Sequence, residues 1–211
     1  MALSDLPEGR AMGVTIEWLK KERTYSEELG IELKGADDRE VFKWFLASVL
    51  FGARISETIA KRTYRAFERH DLLTPERILE AGWDFLVNPV MREGGYVRYD
   101  EKTSREVLRN CEMLMEEYGG SLNTLHRKSQ GPRDLETRLL RFYGVGPVTV
   151  NIFLSELRPY WTKADPEPLP LVLELARRYA LGLGALKRKS VTFTRIEAGL
   201  VRLRKESKKA S

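Results

Sequence analysis

Residues 144–147, GVGP, have the residue types of an anion-binding turn. Gly144 and Gly146 permit backbone angles that other residues avoid, and they let another molecule approach the main chain closely. Pro147 suits the first turn of a helix, because its missing N–H group would have no partner there. The free N–H groups at such a helix start favour an anion, for example a phosphate of a nucleic-acid backbone. The alternative interpretation is a glycine turn between two packed helices.

Basic residues are in moderate excess and are densest near the C-terminus. The net charge of +5 suits nucleic-acid binding without proving it. The tail 185–211 carries Lys187, Arg188, Lys189, Arg195, Arg202, Arg204, Lys205, Lys208 and Lys209 against Glu197 and Glu206. This tail is expected to add non-specific, salt-dependent affinity for nucleic acid. A solvated helix face is the alternative interpretation.

Residues that bind metals or form disulfides are scarce. Cys111 is the only cysteine, so an intramolecular disulfide is excluded, and the helix-like spacing around it predicts a buried thiol. His70 and His126 have no cysteine or acidic cluster beside them at a metal-ligand spacing. We therefore expect no metal site and no cofactor.

Helical patterns dominate the chain, and strand patterns are scarce. Asp37 or Asp38 is expected to cap one helix, and Thr74 with Pro75 to begin another. The predicted helices are 15–29, 37–51, 55–69, 74–82, 83–90, 104–118, 135–143, 147–157, 170–181 and 194–204, and the most loop-like stretch is 121–134. The sequence thus predicts an all-α protein.

The composition is that of a globular protein, with 42% apolar and 32% charged residues. No apolar run reaches the length of a membrane span, and the N-terminal residues lack the pattern of a signal peptide. A cytoplasmic location is expected, with nucleoid association if the source is prokaryotic.

The glycine turn and its flanks, L-x-x-F-x-GVG-P-V-T-V-N at 139–151, resemble the helix–hairpin–helix motif of the endonuclease III-like DNA glycosylases. Further segments that resemble the family, in the family's order, are 45–67, 74–82, 94–120 and 161–180. The resemblance covers about residues 40–182. It is therefore carried by the order of several segments as well as by one motif.

The resemblance implies a two-lobed all-α fold with a DNA-binding cleft between the lobes. The central lobe is expected over 36–130. The second lobe is expected to combine 1–35 with 131–211, and to carry the motif at 139–157 and the basic tail.

The resemblance also implies how a base would be released. In the family, a carboxylate beside the sugar stabilises the cationic transition state or activates water. Asp165 matches the position of the family's aspartate, and Glu167 is its nearest substitute. Prolines at 166, 168 and 170 depart from the family's pattern. A helix cap is the alternative interpretation of Asp165.

Family members that also cut the strand carry a lysine, which forms a Schiff base, where this sequence has Val148. The resemblance therefore implies a monofunctional enzyme, and a displaced amine at Lys163 is the alternative. The family's four-cysteine cluster is missing, so no iron–sulfur cluster is implied. Ser48 stands in place of the glutamate of the adenine-excising branch.

The resemblance also implies which residues contact DNA, by their positions in the matching segments. The predicted contact residues are Gly144, Val145, Gly146, Val148 and Thr149 in the hairpin, Arg54 in the early turn, and Tyr96, Arg98 and Tyr99 in GGYVRYD. Arg54 would fill the gap left by an extruded base, and the tyrosines would stack on bases. Trp161 and Trp44 are the predicted wall of the base pocket. Surface arginine and buried aromatic residues are the alternative interpretations.

The sequence leaves the function open between three hypotheses. The first is a monofunctional DNA glycosylase of base-excision repair, acting as a monomer on double-stranded DNA with a flipped base. The second is a non-catalytic DNA-binding protein that recognises lesioned or bent DNA, and the third is a bifunctional glycosylase and lyase. No motif names the base, because pocket shape decides it.

Overall fold

The computed structural model describes residues 13–209, with side chains described as far as Arg204. Every regular element in that range is helical, which confirms the predicted all-α fold. The helices are α1 (Ile16–Leu19), α2 (Tyr25–Glu28), α3 (Asp38–Gly52), α4 (Glu57–Arg69), α5 (Pro75–Phe85), α6 (Arg92–Gly94), α7 (Asp100–Tyr118), α8 (Leu122–Lys128), α9 (Pro132–Leu139), α10 (Pro147–Leu157), α11 (Pro170–Arg178) and α12 (Val191–Lys209). The side chains of Lys205, Lys208 and Lys209 in the predicted basic tail lie outside the described residues.

Several helices begin or end at the predicted cap residues. The Asp37 carboxylate caps α3 and accepts hydrogen bonds from the N–H groups of Arg39 and Glu40 at 2.9 and 3.3 Å. Thr74 caps α5 in front of its first-turn proline. Gly119 ends α7 in the left-handed conformation. Each cap satisfies main-chain groups that the helix itself leaves unpaired.

The break at Gly82 agrees with the prediction, whereas the stretch 121–134 differs from it. Gly82 was expected to end a helix, and its angles (φ 73°, ψ 174°) are not helical, so α5 consists of two helical pieces that meet in a kink at Gly82. The second piece agrees with a new helix beginning at Trp83. The stretch 121–134, expected to be a loop, contains α8 and the first residues of α9. Ser121 caps α8. That helix buries only two leucines, too few for a clear periodic signal in the sequence.

Two other predicted helices are shorter in the structure. The helix expected over 15–29 is divided into α1 and α2, because Thr24 forms a capping box that starts α2 anew. The helix expected over 135–143 ends at Leu139, and the chain then turns towards α7.

The larger apolar core surrounds α3, whose residues are buried for most of its length. Phe45 makes edge contacts with Phe142 and Phe153, at 5.1 and 5.4 Å between ring centroids. The indole N–H of Trp44 donates to the carbonyl of Phe153 at 3.1 Å. Cys111 is buried in the same core, as predicted, and burial raises the pKa of its thiol. The helices of the hairpin therefore share a core with the helices that precede them.

A smaller cluster of buried apolar residues joins α1 to α11 and α12. Leu19 lies in it with Val172, Leu175 and Ile196. α12 comes so close to α1 that a β-carbon on Gly199 would lie 2.6 Å from a Leu19 methyl group. No helix in the described range has both the length and the apolar character of a membrane span. The lobe boundaries at 36 and 130 stay a prediction.

Candidate functional site

The glycine turn forms a tight hairpin between α9 and α10. Gly144 has a φ of +70°, and Gly146 is the N-cap residue of α10. No side chain caps α10, whose first residue is Pro147. The N–H groups of the first turn therefore have no side-chain acceptor, and the positive end of the helix is open to an anion.

The hairpin is fixed to α7 by Asn110, whose side chain is buried. The Asn110 amide donates to the carbonyl of Tyr143 at 3.0 Å and accepts from the N–H of Tyr143 at 2.7 Å. A β-carbon on Gly144 would lie 2.5 Å from a carboxylate oxygen of Glu106, also on α7. Neither of these α7 residues was predicted from the sequence, because only the tertiary fold brings them to the hairpin.

The hairpin residues predicted to contact DNA differ in exposure. Val148 is 53% exposed, whereas Val145 and Thr149 are buried. Thr149 packs on α3, where a β-carbon on Gly52 would lie 2.0 Å from its hydroxyl oxygen. This corrects the expectation for these two side chains.

A cavity of about 670 Å³ opens beside the first turn of α10. Its walls come from the start of α4, one face of α10, the start of α11 and the middle of α12. Because α4 belongs to the predicted central lobe and the other three helices to the second lobe, the cavity lies between elements of the two predicted lobes. Val148, Ile55, Ile152 and Val172 give it an apolar lining. Its size is that of a small-molecule pocket.

The carboxylates of Glu156 and Glu197 also line this cavity. Glu156 is buried and accepts hydrogen bonds from the N–H groups of Tyr25 and Ser26 at 2.8 and 3.0 Å. Burial raises the pKa of Glu156 to about 7. The Glu197 carboxylate lies 2.6 Å from the Arg158 guanidinium, and burial raises its pKa. Neither glutamate was predicted from the sequence, although an acidic residue within an apolar helical run is a usable signal.

Asp165 lies in the extended segment between α10 and α11, with a side chain that is 32% exposed. It does not cap α11, whose N-cap residue is Leu169. Its Oδ1 atom lies 2.9 Å from Nη2 of Arg188 and 3.5 Å from Nε of Arg158. Asp165 is not part of the cavity wall, whereas Glu197 is. Arg158 contacts both carboxylates and so links Asp165 to the cavity.

Glu167, the nearest substitute for Asp165, stands further out. Its carboxylate pairs with Arg188 at 2.7 Å, and its side chain is mostly exposed. Its carbonyl accepts a hydrogen bond from the Asn151 amide at 2.7 Å, which ties this segment to α10. Arg188 thus holds both acidic side chains of the segment.

The predicted base-pocket residues Trp44 and Trp161 are both buried in the larger core. The Trp161 ring stacks on His126, with 4.6 Å between ring centroids, and its N–H donates to Asn123 at 2.8 Å. Neither tryptophan lines the cavity beside α10. The expectation is corrected because both indoles find hydrogen-bond partners inside the core.

Lys163, the alternative nucleophile, is held at the end of α8. Its ammonium donates to the carbonyls of His126 and Arg127 at 2.8 and 3.1 Å. This position favours a helix-capping cation over a free amine. Burial, with help from the Lys163 charge, lowers the pKa of His126 to about 4.

The predicted wedge residues are divided between core and surface. Tyr96 is buried, and its hydroxyl lies 2.9 Å from that of Thr103, which corrects its expected role in base stacking. Arg98 and Tyr99 are exposed, with the guanidinium 5.2 Å from the ring centroid. Arg54 is exposed at the turn between α3 and α4. No group of three or more His, Cys, Asp or Glu side chains suited to a metal ion occurs within the described residues.

No protein-family model and no curated protein matches this sequence. Among solved structures, the fold is similar to that of a trapped endonuclease III–DNA covalent intermediate, an estranged-adenine complex. The chains are 16% identical, the similarity covers 89% of this chain and 85% of that chain, and the TM-score is 0.49. No conclusion about activity follows from similarity at this level.

Proposed function

We propose that the protein is a monofunctional DNA glycosylase of base-excision repair, which releases a damaged or mismatched base from double-stranded DNA. The observation that carries this proposal is the position of Val148. It belongs to the open first turn of α10, and it also lines the cavity beside that turn.

An anion site beside an apolar pocket is the arrangement that one extruded nucleotide requires. An extruded nucleotide keeps its phosphate beside its base, so a protein that binds it needs an anion site next to an apolar pocket. The uncapped start of α10 suits the phosphate, and the adjoining cavity suits the base. Arg54, exposed in the turn between α3 and α4, is proposed to fill the gap that the base leaves in the duplex.

Asp165 is proposed as the residue that stabilises the sugar cation or activates water. Arg188 and Arg158 both approach its Oδ1 atom, which fixes the direction of the carboxylate. A carboxylate held in this way loses little freedom when it meets the sugar, which is the advantage of a preorganised charge. Water, and not a protein amine, would then complete the release of the base.

The residues around the hairpin support base release without strand cleavage. Val148 has no nucleophilic atom, and Lys163 is bound to two carbonyl groups. The alternative, a bifunctional enzyme, needs an amine that forms a Schiff base with the sugar. Borohydride added during the reaction would trap that adduct, and we expect none.

A panel of lesions tests the proposal. The protein is incubated with duplexes that each carry one change: uracil, thymine opposite guanine, hypoxanthine, 3-methyladenine, 8-oxoguanine or an abasic site. We expect strand cleavage only after hot alkali, and the lesion that responds names the base. Cleavage without alkali would contradict the monofunctional mechanism. Binding without any base release would favour the non-catalytic DNA-binding alternative.

The variant Asp165→Asn tests the proposed carboxylate. Single-turnover base release should fall by about 100-fold or more, because one preorganised charge contributes that much to such reactions. Binding to the lesion duplex should survive. Glu167→Gln is the matched control, since Glu167 pairs with the same Arg188 but is mostly exposed. Equal losses in both variants would show that the charge around Arg188 matters and that Asp165 has no special role.

A further inference from the structure

α7 carries a basic surface that leads away from the hairpin. Lys102, Arg105 and Arg109 are exposed and share one face of the helix, because their spacing of three and four residues matches its turn. We call these three residues the basic face of α7. None of them was among the residues that the sequence suggested for DNA contact.

Arginine residues on and beside this face lie over exposed aromatic rings. The pairs are Arg98 with Tyr99, Arg105 with Trp83 and Arg109 with Tyr143, at 5.2, 5.5 and 5.0 Å from guanidinium carbon to ring centroid. The three rings are 37%, 36% and 46% exposed, respectively. A guanidinium that rests on a ring contacts it with its flat face and not with its N–H edges, which suits the bidentate binding of a phosphate.

The basic face has a fixed position relative to the hairpin. Arg109 lies over Tyr143, whose main chain is held by both amide hydrogen bonds of Asn110. The other end of the face adjoins the segment with Arg98 and Tyr99. The hairpin, the basic face and this segment therefore form one continuous surface.

We propose that the basic face of α7 binds the phosphates of one strand of the duplex whose nucleotide occupies the hairpin and cavity. From Lys102 to Arg109 the helix extends about 10 Å. Each of the three cations along this length can neutralise one phosphate of the strand. The inference rests on the proposed DNA binding, but not on base release.

The acidic residues on the same helix do not block this interaction. Arg105 pairs with Glu101 at 3.1 Å and Lys102 with Glu106 at 3.7 Å. Three of these four side chains are more than half exposed, and surface pairs of this kind are weak enough to exchange for a phosphate. Glu106 is the exception, because it is less exposed and lies against Gly144. Its charge should repel a phosphate at the hairpin.

The test compares two triple variants with the same loss of charge. One removes the basic face (Lys102→Gln, Arg105→Gln, Arg109→Gln), and the control removes exposed basic residues elsewhere (Lys34→Gln, Arg127→Gln, Arg133→Gln). Affinity for a fluorescent duplex is measured between 50 and 300 mM salt. Loss of the basic face should weaken binding by about tenfold or more and reduce the slope of log affinity against log salt by about two to three. The control should keep most of the slope.

A third variant, Glu106→Gln, should bind the duplex more tightly than the wild type, a gain that misfolding cannot produce. Equal effects of the two triple variants, or no effect of either, would overturn the proposal. So would a wild-type preference for RNA or for polyglutamate over duplex DNA. Binding as expected with no base release from any lesion would leave the basic face intact and remove only the glycosylase activity.

Discussion

The charged residues beside the cavity are held by specific partners, and these partners decide which of the residues can be substituted without loss of the fold. Arg158 is buried and divides its donors between the Glu197 carboxylate and the carbonyl of Pro166, at 2.6 and 2.8 Å. Removing one member of such a buried pair leaves the other charge unpaired. Asp165 is more exposed and is held mainly by Arg188, so it can be changed with less risk to the fold.

Glu156 makes the stability of the protein depend on pH. Its pKa is about 7 in the folded protein and lies above the ordinary value of 4.5, so the folded state binds a proton more tightly than the unfolded state. The contribution of Glu156 to the free energy of unfolding therefore falls as pH rises from 4.5 to 7, by up to about 3 kcal/mol. Glu156→Gln removes the titration.

The measurement is the difference in melting temperature between Glu156→Gln and the wild type. We expect the melting temperature of the variant to rise steadily, relative to that of the wild type, from pH 4.5 to pH 7.5. Glu197, whose pKa is also raised, is present in both proteins and does not enter the difference. A difference that stays constant over this range would contradict the role given to Glu156.

At the scale of elements, the hairpin depends on the close contact between α7 and the glycine turn. Position 144 requires glycine for two reasons. Its φ of +70° disfavours a side chain, and Glu106 occupies the space of a β-carbon. Gly146 has a φ of −101°, and nothing lies within 4 Å of the position of its β-carbon. The two glycines of one motif therefore have different structural requirements.

Gly144→Ala should destabilise the protein, and Gly146→Ala should not. The left-handed conformation costs an alanine about 1–2 kcal/mol, and the displacement of Glu106 adds to that. We expect the melting temperature to fall by about 5 °C for the first variant and by less than about 2 °C for the second. Equal melting temperatures would show that the hairpin relaxes without cost.

At the scale of the whole molecule, Glu28 connects elements on two sides of the cavity. Its carboxylate contacts Lys61 of α4 and lies 2.9 Å from Arg202 of α12. Arg202 also lies over the ring of Tyr25, 4.6 Å from its centroid. Since α4 and α12 both line the cavity, this contact fixes the distance between its walls.

Glu28→Gln should lower the free energy of unfolding by about 1–2 kcal/mol, more than an exposed pair would, because all three charged side chains are partly buried. Hydrogen exchange in α12 should become faster. Urea denaturation gives the free energy, and Glu17→Gln is the control, because Glu17 is 78% exposed in its pair with Lys20. A smaller loss for Glu28 than for Glu17 would contradict the proposed connection.

The helical class and much of the hairpin could be predicted from the residues alone. Asp37, Thr74 and Gly119 act within their own turns of the chain, so their effects can be predicted without knowledge of the fold. The start of α10 at Pro147 was predicted for the same reason. α8 was missed, because its few buried leucines give no clear period.

Tertiary structure alone decided which residues surround the candidate site. Trp44 and Trp161 were predicted to form the base-pocket wall and Tyr96 to stack on bases, but packing places all three in the core. Glu156, Glu197 and the basic face of α7 reach the site through contacts between residues far apart in the sequence. Burial and charge pairing depend on all the elements that meet at a point, whereas a helix cap depends only on its neighbours in the chain.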